Sequence, residues 1–500
     1  MHDLHPQLHA IFAAFNQAGV RWCVLRDEAL LAAPIGDVDL LVAPADMGRV
    51  RKILTARQYL PIASSNRGTR CEFVGYHAPS ETWIALDVVT ELAYGRYHGL
   101  RAGAAAEYLA RCQHVRELRL LAPGDAFWAV LLRCMLDKGA FAPRHTVRLR
   151  ALVDAAHTDT PLAQQVASAC PSGWSRARLL EYVTRGEWSE LVRVAPALAA
   201  GWRHRHPFAS RWRAAVNRTS RLPETALLRL RQRGMSVALL GPDGAGKSTL
   251  AANIMLSYYF PVRSVYMGLW QRGTPYSGSG AHPHPRGTGV AGRVLEIAAR
   301  LPKAWGRYLL AQYHMTLGRI VIFDRYMYDA LLPGRQSVSA PKWLYLWLLG
   351  HACPAPDMAI VLDVPGEMMY ARKGEDTPEN LEAQRQRLLA LSALLPRMQV
   401  VDAAREESRV HADVAERIWT EYCSRRGKGQ TRETKSRRDS RQLIRAPSRT
   451  PCTDEAATQP FGLLTITHQA LIRELMVPWP RSQRWVADAS REARSGWRRL

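Results

Sequence analysis

The sequence predicts an α/β protein made of two unlike α/β units joined by helices. Three observations carry that prediction. Short, nearly continuous apolar runs alternate with helical segments over 235–423; that is the signature of a parallel sheet buried on both faces, so a three-layer α/β/α arrangement is expected. A second set of β-like runs, mixed with helical segments, fills 1–120. Between them, over 121–201, apolar residues recur at helical spacing and strands are hard to find. A chain of 500 residues is too long for one ordinary domain, so a multi-domain reading agrees with its length.

Taken in order, the first unit is marked by "RWCVL", "VDLLV" and "WIALDVV", and the helical segment by "GDAFWAVLLRCMLDKGAF". Residues 202–234 hold nine Lys/Arg and one acid, which suits a basic linker. Its aromatics Trp202, Phe208 and Trp212 suit either nucleic-acid stacking or an amphipathic packing helix. In the second unit five strands are expected, at "MSVALLG", "SVYMGL", "RIVIFD", "MAIVLDV" and "QVVDA". From 424 to 500 the chain turns rich in Arg and Ser, a composition expected to stay disordered.

Charge and cysteine usage narrow the class further. Hydrophobic residues make up 47% of the chain, enough for sizeable cores, while the net charge of +24 calls for an anionic partner. Nucleotide phosphates, nucleic acid and an acidic membrane surface all qualify. The eight cysteines are scattered and form no CxxC pair, which argues against a disulfide framework or a structural zinc site. "MHDLHPQLHAIFAAF" lacks the basic start of a signal peptide, and the longest apolar patch, Trp343–Gly350, is too short to span a bilayer. A cytoplasmic protein is expected.

The strongest chemical signal is "LLGPDGAGKSTL". Gly241-x-x-x-x-Gly246-Lys247-Ser248 follows a strand and opens a helical run, the setting in which backbone N–H groups cradle phosphates at a helix N-terminus. Gly241, Asp243, Gly244, Ala245, Gly246, Lys247, Ser248 and Thr249 are the expected ATP-binding residues. Lys247 would reach the β- and γ-phosphates and Ser248 would ligate Mg²⁺. A second signal is "GRIVIFDRYMY", where Asp324 ends a buried strand and so faces the ligand crevice of a parallel sheet. There it can serve metal or accept a proton, and Arg325 beside it offers a fork for a second phosphate. A third is "ARKGEDTPENLEAQRQRL", whose paired cations, glycine and acidic helix start suit a mobile lid. A solvated charged helix fits that segment equally well.

Together, "GPDGAGKST", "FDRY", "LDVPGEMMYARKGE" and "VVDAAREESRV" resemble the thymidylate kinase family of P-loop nucleoside monophosphate kinases, over roughly 235–420. The resemblance implies an ATP- and Mg²⁺-dependent kinase. In it Asp243 would contact the sugar of the acceptor nucleotide, Arg325 its phosphate, and Arg372 the phosphoryl group in flight. It implies nucleotide and small-molecule partners, and a homodimer is common in the family. No match is visible for the thymine-contacting positions in Gly268–Pro285, so a nucleoside, a sugar or a glycan end stays open as acceptor.

The first unit carries its own acids. Asp37 and Asp39 are two apart on a β-like run, so both point to one face, and Asp87 sits mid-strand in "WIALDVV". Three converging carboxylates can hold two Mg²⁺ ions for nucleotidyl transfer. Residues 1–120 resemble the minimal, polymerase β-like nucleotidyltransferase fold. The Gly-Ser turn of that family is replaced by "VLRDEALLAAPIG", in which Arg26 is an expected phosphate contact. Three readings therefore stand: a kinase, a metal-dependent nucleotidyltransferase acting through the N-terminal aspartates, and a non-enzymatic nucleotide-binding protein docked on nucleic acid. The kinase is favoured.

Overall fold

The computed structural model describes residues 4–25, 31–34, 36–62, 69–95, 99–205, 233–268, 290–328, 353–374, 376–395 and 397–443. Contacts divide the chain into Met1–Lys428 and Gly429–Leu500, and the sheets described below lie in the first part.

The N-terminal unit is a mixed sheet. Its strands are β1 (Trp22–Val24), β2 (Asp37–Val42), β3 (Leu60–Pro61), β4 (Arg70–His77) and β5 (Thr82–Val89). A two-strand pair, β6 (Ala93–Tyr94) and β7 (Leu100–Arg101), follows, then β8 (Gln113–Val115) and β9 (Leu118–Leu120). Seven of these form one sheet in the order β3-β4-β5-β2-β1-β9-β8. β2 runs parallel to β5 with Asp39 beside Asp87, and β4 runs antiparallel to β5 with Glu72 beside Asp87. Because alternate residues share a face, Asp37, Asp39, Asp87, Arg70 and Glu72 all lie on one side of the sheet.

The opposite side is apolar and covered by α1 (Pro6–Gln17) and α2 (Met47–Ala56). Leu8, Phe12, Val50 and Leu54 pack there on Trp22, Leu40, Phe73 and Leu86. After the short α3 (Ala105–Ala110) comes a helical layer: α4 (Pro123–Leu132), α5 (Pro143–Leu152), α6 (Pro161–Ala169), α7 (Arg176–Arg185) and α8 (Trp188–Arg205). α4 continues as a π-helical stretch, Arg133–Lys138. Trp202 ends up in this layer, nearly buried near the end of α8, with its indole N–H donating to Arg101 O. The packing explanation of that aromatic therefore holds, whereas Phe208 and Trp212 lie outside the described residues, as does Arg26.

The second unit is a five-stranded parallel sheet, and each of the five expected runs supplies one strand. They are β10 (Ser236–Leu240), β11 (Val262–Tyr266), β12 (Ile320–Asp324), β13 (Met358–Asp363) and β14 (Met398–Asp402), in the order β11-β12-β10-β13-β14. All four pairings are parallel. Around the sheet run α9 (Lys247–Ser257), α10 (Val290–Thr316), α11 (Gly366–Lys373), α12 (Pro378–Leu394) and α13 (Glu407–Leu443). Thr377 caps α12 by accepting the Asn380 N–H, with Pro378 in the first turn. α13 continues past 423 into the segment whose composition predicts disorder. Lys, Arg, Glu and Gln are good helix formers, and the first proline after 423 is Pro447.

The two units share one core, which the sequence does not foretell. Leu60, Val74 and Tyr76 of the N-terminal sheet pack with Tyr258, Phe260, Trp419 and Tyr422 of the second unit. Trp83 is the hub: its ring centroid lies 4.7 Å from that of Tyr258 and 5.1 Å from that of Trp419. Its indole N–H donates to Ser257 O at 3.0 Å. Trp419 in turn donates to Gln58 O at 3.1 Å. Polar contacts rim the patch: His411 is hydrogen-bonded to Ser257 at 2.8 Å and to Glu81 at 3.1 Å.

Candidate functional sites

β10 is buried along its whole length and stops at Leu240, where the glycine loop turns into α9. Gly244 and Gly246 both adopt φ of +88°, a conformation that other residues reach at a cost. At Gly244 a Cβ would also sit 2.5 Å from Met369 O, so the loop lies directly against α11. Lys247 is nearly buried, and its ammonium donates to Gly241 O at 2.7 Å and Pro242 O at 2.8 Å. This keeps the ammonium tethered to the loop's own backbone. Ser248 and Thr249 stand exposed in the first turn of α9, where helical N–H groups have no intrahelical acceptor.

Asp324 ends β12, next to β10, and accepts a hydrogen bond from the Ser248 hydroxyl at 3.5 Å. A hydroxyl and a carboxylate side by side are hard oxygen donors, so these two residues fit Mg²⁺. Arg325 has φ of +66°, unusual for a residue with a side chain and worth about 1–3 kcal/mol of strain. The buried neighbour Tyr326, whose hydroxyl donates to Pro354 O, anchors that turn. The strained turn aims the Arg325 guanidinium at Asp243, 2.5 Å away. Burial alone would raise the Asp243 carboxyl; Arg325, Lys247 and Lys373 outweigh it and hold the group below its ordinary value.

Of the two adjacent cations that end α11, Lys373 is the one that reaches the loop, 3.8 Å from Asp243. Arg372 lies exposed in the last turn of α11, which Gly374 closes with φ of +67°. The sequence shows both cations but not which way the helix presents them. The segment Gly268–Pro285 lies almost entirely outside the described residues.

In the N-terminal unit Asp39 and Asp87 are nearly buried neighbours. Arg70 forms a two-point contact with Asp87, Nε to Oδ1 at 2.6 Å and its second nitrogen to Oδ2. Arg133 donates to Asp39 Oδ2 at 2.8 Å. Burial pushes the Asp87 carboxyl up to about 7, Arg70 pulls against that rise, and Asp39 adds to it. Asp137, at the end of the π-helical stretch, is pushed up to about 6 by burial although it accepts the Gly95 N–H at 2.6 Å. No group of three or more His, Cys, Asp or Glu among the described residues could hold a metal ion. Asp37, Asp39 and Asp87 are thus brought to one face as the spacing predicts, but with arginines on two of them.

Neither Arg70 nor Arg133 stands out as a functional residue in the sequence. The signal for Arg133 is a lone cation inside the apolar run "AVLLRCML"; a charge in that setting needs a buried partner.

No protein-family model matches this sequence, and no curated protein matches it. Among solved structures, thymidylate kinase from Candida albicans is similar at 18% identity and a TM-score of 0.29, covering 38% of this chain and 93% of that one. Deoxyadenosine kinase from M. mycoides, with dATP bound, is similar at 16% identity and a TM-score of 0.27, covering 37% and 98%. No helix among the described residues is long and apolar enough to cross a membrane.

Proposed function

We propose that residues 235–423 form an ATP-dependent kinase that moves the γ-phosphoryl group to the phosphate of a small acceptor, a nucleoside monophosphate of the dTMP type. The observation that carries this reading is the Asp243–Arg325 pair beside the glycine loop. A loop that only binds ATP has no need of a second cation aimed across its rim. Arg325 is held there by a carboxylate, at a place suited to an acceptor phosphate. Both side chains are about a third exposed, and ion pairs of that kind contribute little. An incoming phosphate can therefore take over the guanidinium and free Asp243 for the acceptor sugar.

Each remaining residue then has a task. The loop N–H groups and the α9 N-terminus hold the donor phosphates, and Lys247 exchanges its backbone carbonyls for β- and γ-oxygens. Mg²⁺ held by Ser248 and Asp324 would neutralise charge on the donor phosphates. Lys373, 3.8 Å from Asp243, would offset charge on the group in flight, with Arg372 beside it. Catalysis of this kind is mainly positioning and charge neutralisation.

The test is ADP formation from ATP and Mg²⁺ by the full chain, with deoxy- and ribonucleoside monophosphates, free nucleosides and simple sugars as acceptors. Stimulation by one or more monophosphates, absent in Lys247→Ala, is expected. Stimulation by sugars or free nucleosides alone would move the acceptor away from Arg325 and end this reading.

A further inference from the structure

The acids of the N-terminal sheet have the spacing of a two-metal centre but not its surroundings. Across β2, β5 and β4 run Asp39, Asp87 and Glu72, side by side on one face, with Asp37 one step along. A metal centre leaves such carboxylate oxygens open toward solvent and substrate. Here each acid of the row is engaged from a different quarter. Arg70, diagonal to Asp87 on the same face, covers both of its oxygens. Arg133 reaches Asp39 from the π-helical stretch of the helical layer. Tyr259 donates its hydroxyl to Glu72 at 3.0 Å, from the corner that follows α9 in the second unit.

The side chains of Asp39 and Asp87 are only 4% and 3% exposed. Guanidinium groups keep their charge at any pH a protein survives. A divalent ion entering this place would have to expel two fixed cations from these carboxylates and leave them half-buried beside it. We infer that the row is a metal-free ion-pair network: Arg70 and Arg133 stand where a nucleotidyltransferase would hold its two metal ions. The network joins the sheet, the helical layer and the corner after α9, and it supports no nucleotidyl transfer. Mg²⁺ does not fit there, in contrast with the oxygen pair of Ser248 and Asp324.

Removing one partner of a buried ion pair leaves the other uncompensated and strongly destabilises a protein. Removing one of several mutually repelling metal ligands, with no metal present, does the reverse. Thermal unfolding of the full chain in chelator at pH 8.5, above the raised value of Asp87, with Asp39→Asn and Asp87→Asn, therefore separates the two readings. The network predicts a fall in Tm of about 5 °C or more for each. It also predicts that Asp87→Asn combined with Arg70→Met recovers at least half of the loss, since the orphaned charge is then gone. Unchanged or raised Tm values would overturn the inference.

Titration with Mn²⁺ alone, followed by the resonance of free Mn²⁺, gives a second test that survives poor folding of the variants. It uses the wild type and Asp324→Asn, the latter to silence the metal ligand of the second unit. Absence of stoichiometric Mn²⁺ binding by Asp324→Asn upholds the network. Stoichiometric binding that persists in Asp324→Asn overturns it. Neither arm depends on the kinase activity.

Discussion

Both halves of this protein set aspartate against arginine, yet the two settings have opposite uses. At the glycine loop, Asp243 and Arg325 meet at a rim where each is about a third exposed. In the N-terminal sheet, Asp39 and Asp87 are almost wholly buried against Arg133 and Arg70. A rim pair costs little to open, so a phosphate can replace the carboxylate. A buried pair costs several kcal/mol to break, so it holds structure together and is a poor place for turnover. Exposure, more than residue type, decides which aspartate–arginine pair can act as a site.

The largest effect should come from Lys247→Ala. It is expected to lower phosphoryl transfer by a thousandfold or more, roughly, because the lysine carries the donor-side charge, while leaving Tm within a few degrees of wild type. Full activity in that variant would remove the kinase half of the comparison.

Trp83→Ala should rank next, on stability. The hub of the shared core is lost, and a cost of about 3 kcal/mol is expected from large-to-small change at a packed aromatic site, read as a lower midpoint in denaturant. A cost near zero would show the two units to be independent.

Arg325→Ala should reduce kcat/KM for the acceptor about a hundredfold, and Arg325→Lys should restore little of it, because a fork is not replaced by a point charge. A full rescue by lysine would mean that Arg325 does not grip a phosphate.

The smallest effect is on pH. Asp243 has its folded-state pKa held below the ordinary carboxylate value. Its contribution to stability is therefore present above the unfolded value, near 4, and fades as pH falls through the lowered one. Asp243→Asn should flatten the acid limb of a stability profile below about pH 4, and that alone.

The second unit was legible in the sequence because its signals are local. Each strand is a single apolar run, as in "RIVIFD", and the phosphate loop is one continuous motif. In the first unit β4 was missed, because "RCEFVGYH" interrupts its apolar residues with Arg70 and Glu72. Those charges face Asp87 only once the sheet has formed, and sequence spacing carries no trace of the pairing. Arg133 lies 94 positions from Asp39, and Trp83 lies 174 from Ser257. Contacts that long-range are set by packing of whole layers. Arg372 and Lys373 cannot be told apart in the sequence for a smaller reason: neighbours on a helix point about 100° apart, and the sequence does not say which one faces the loop.

One measurement tests the contrast between the two halves most directly. The full chain would be given ATP labelled at its γ-phosphorus and, in parallel, ATP labelled at its α-phosphorus, with Mg²⁺ and the acceptor monophosphates. The account predicts that the γ-label alone moves to an acceptor, with ADP left behind, and that Asp39→Asn does not change where the label goes. Transfer of the α-label with release of pyrophosphate, abolished by Asp39→Asn, would contradict it and make the buried aspartates the catalytic centre.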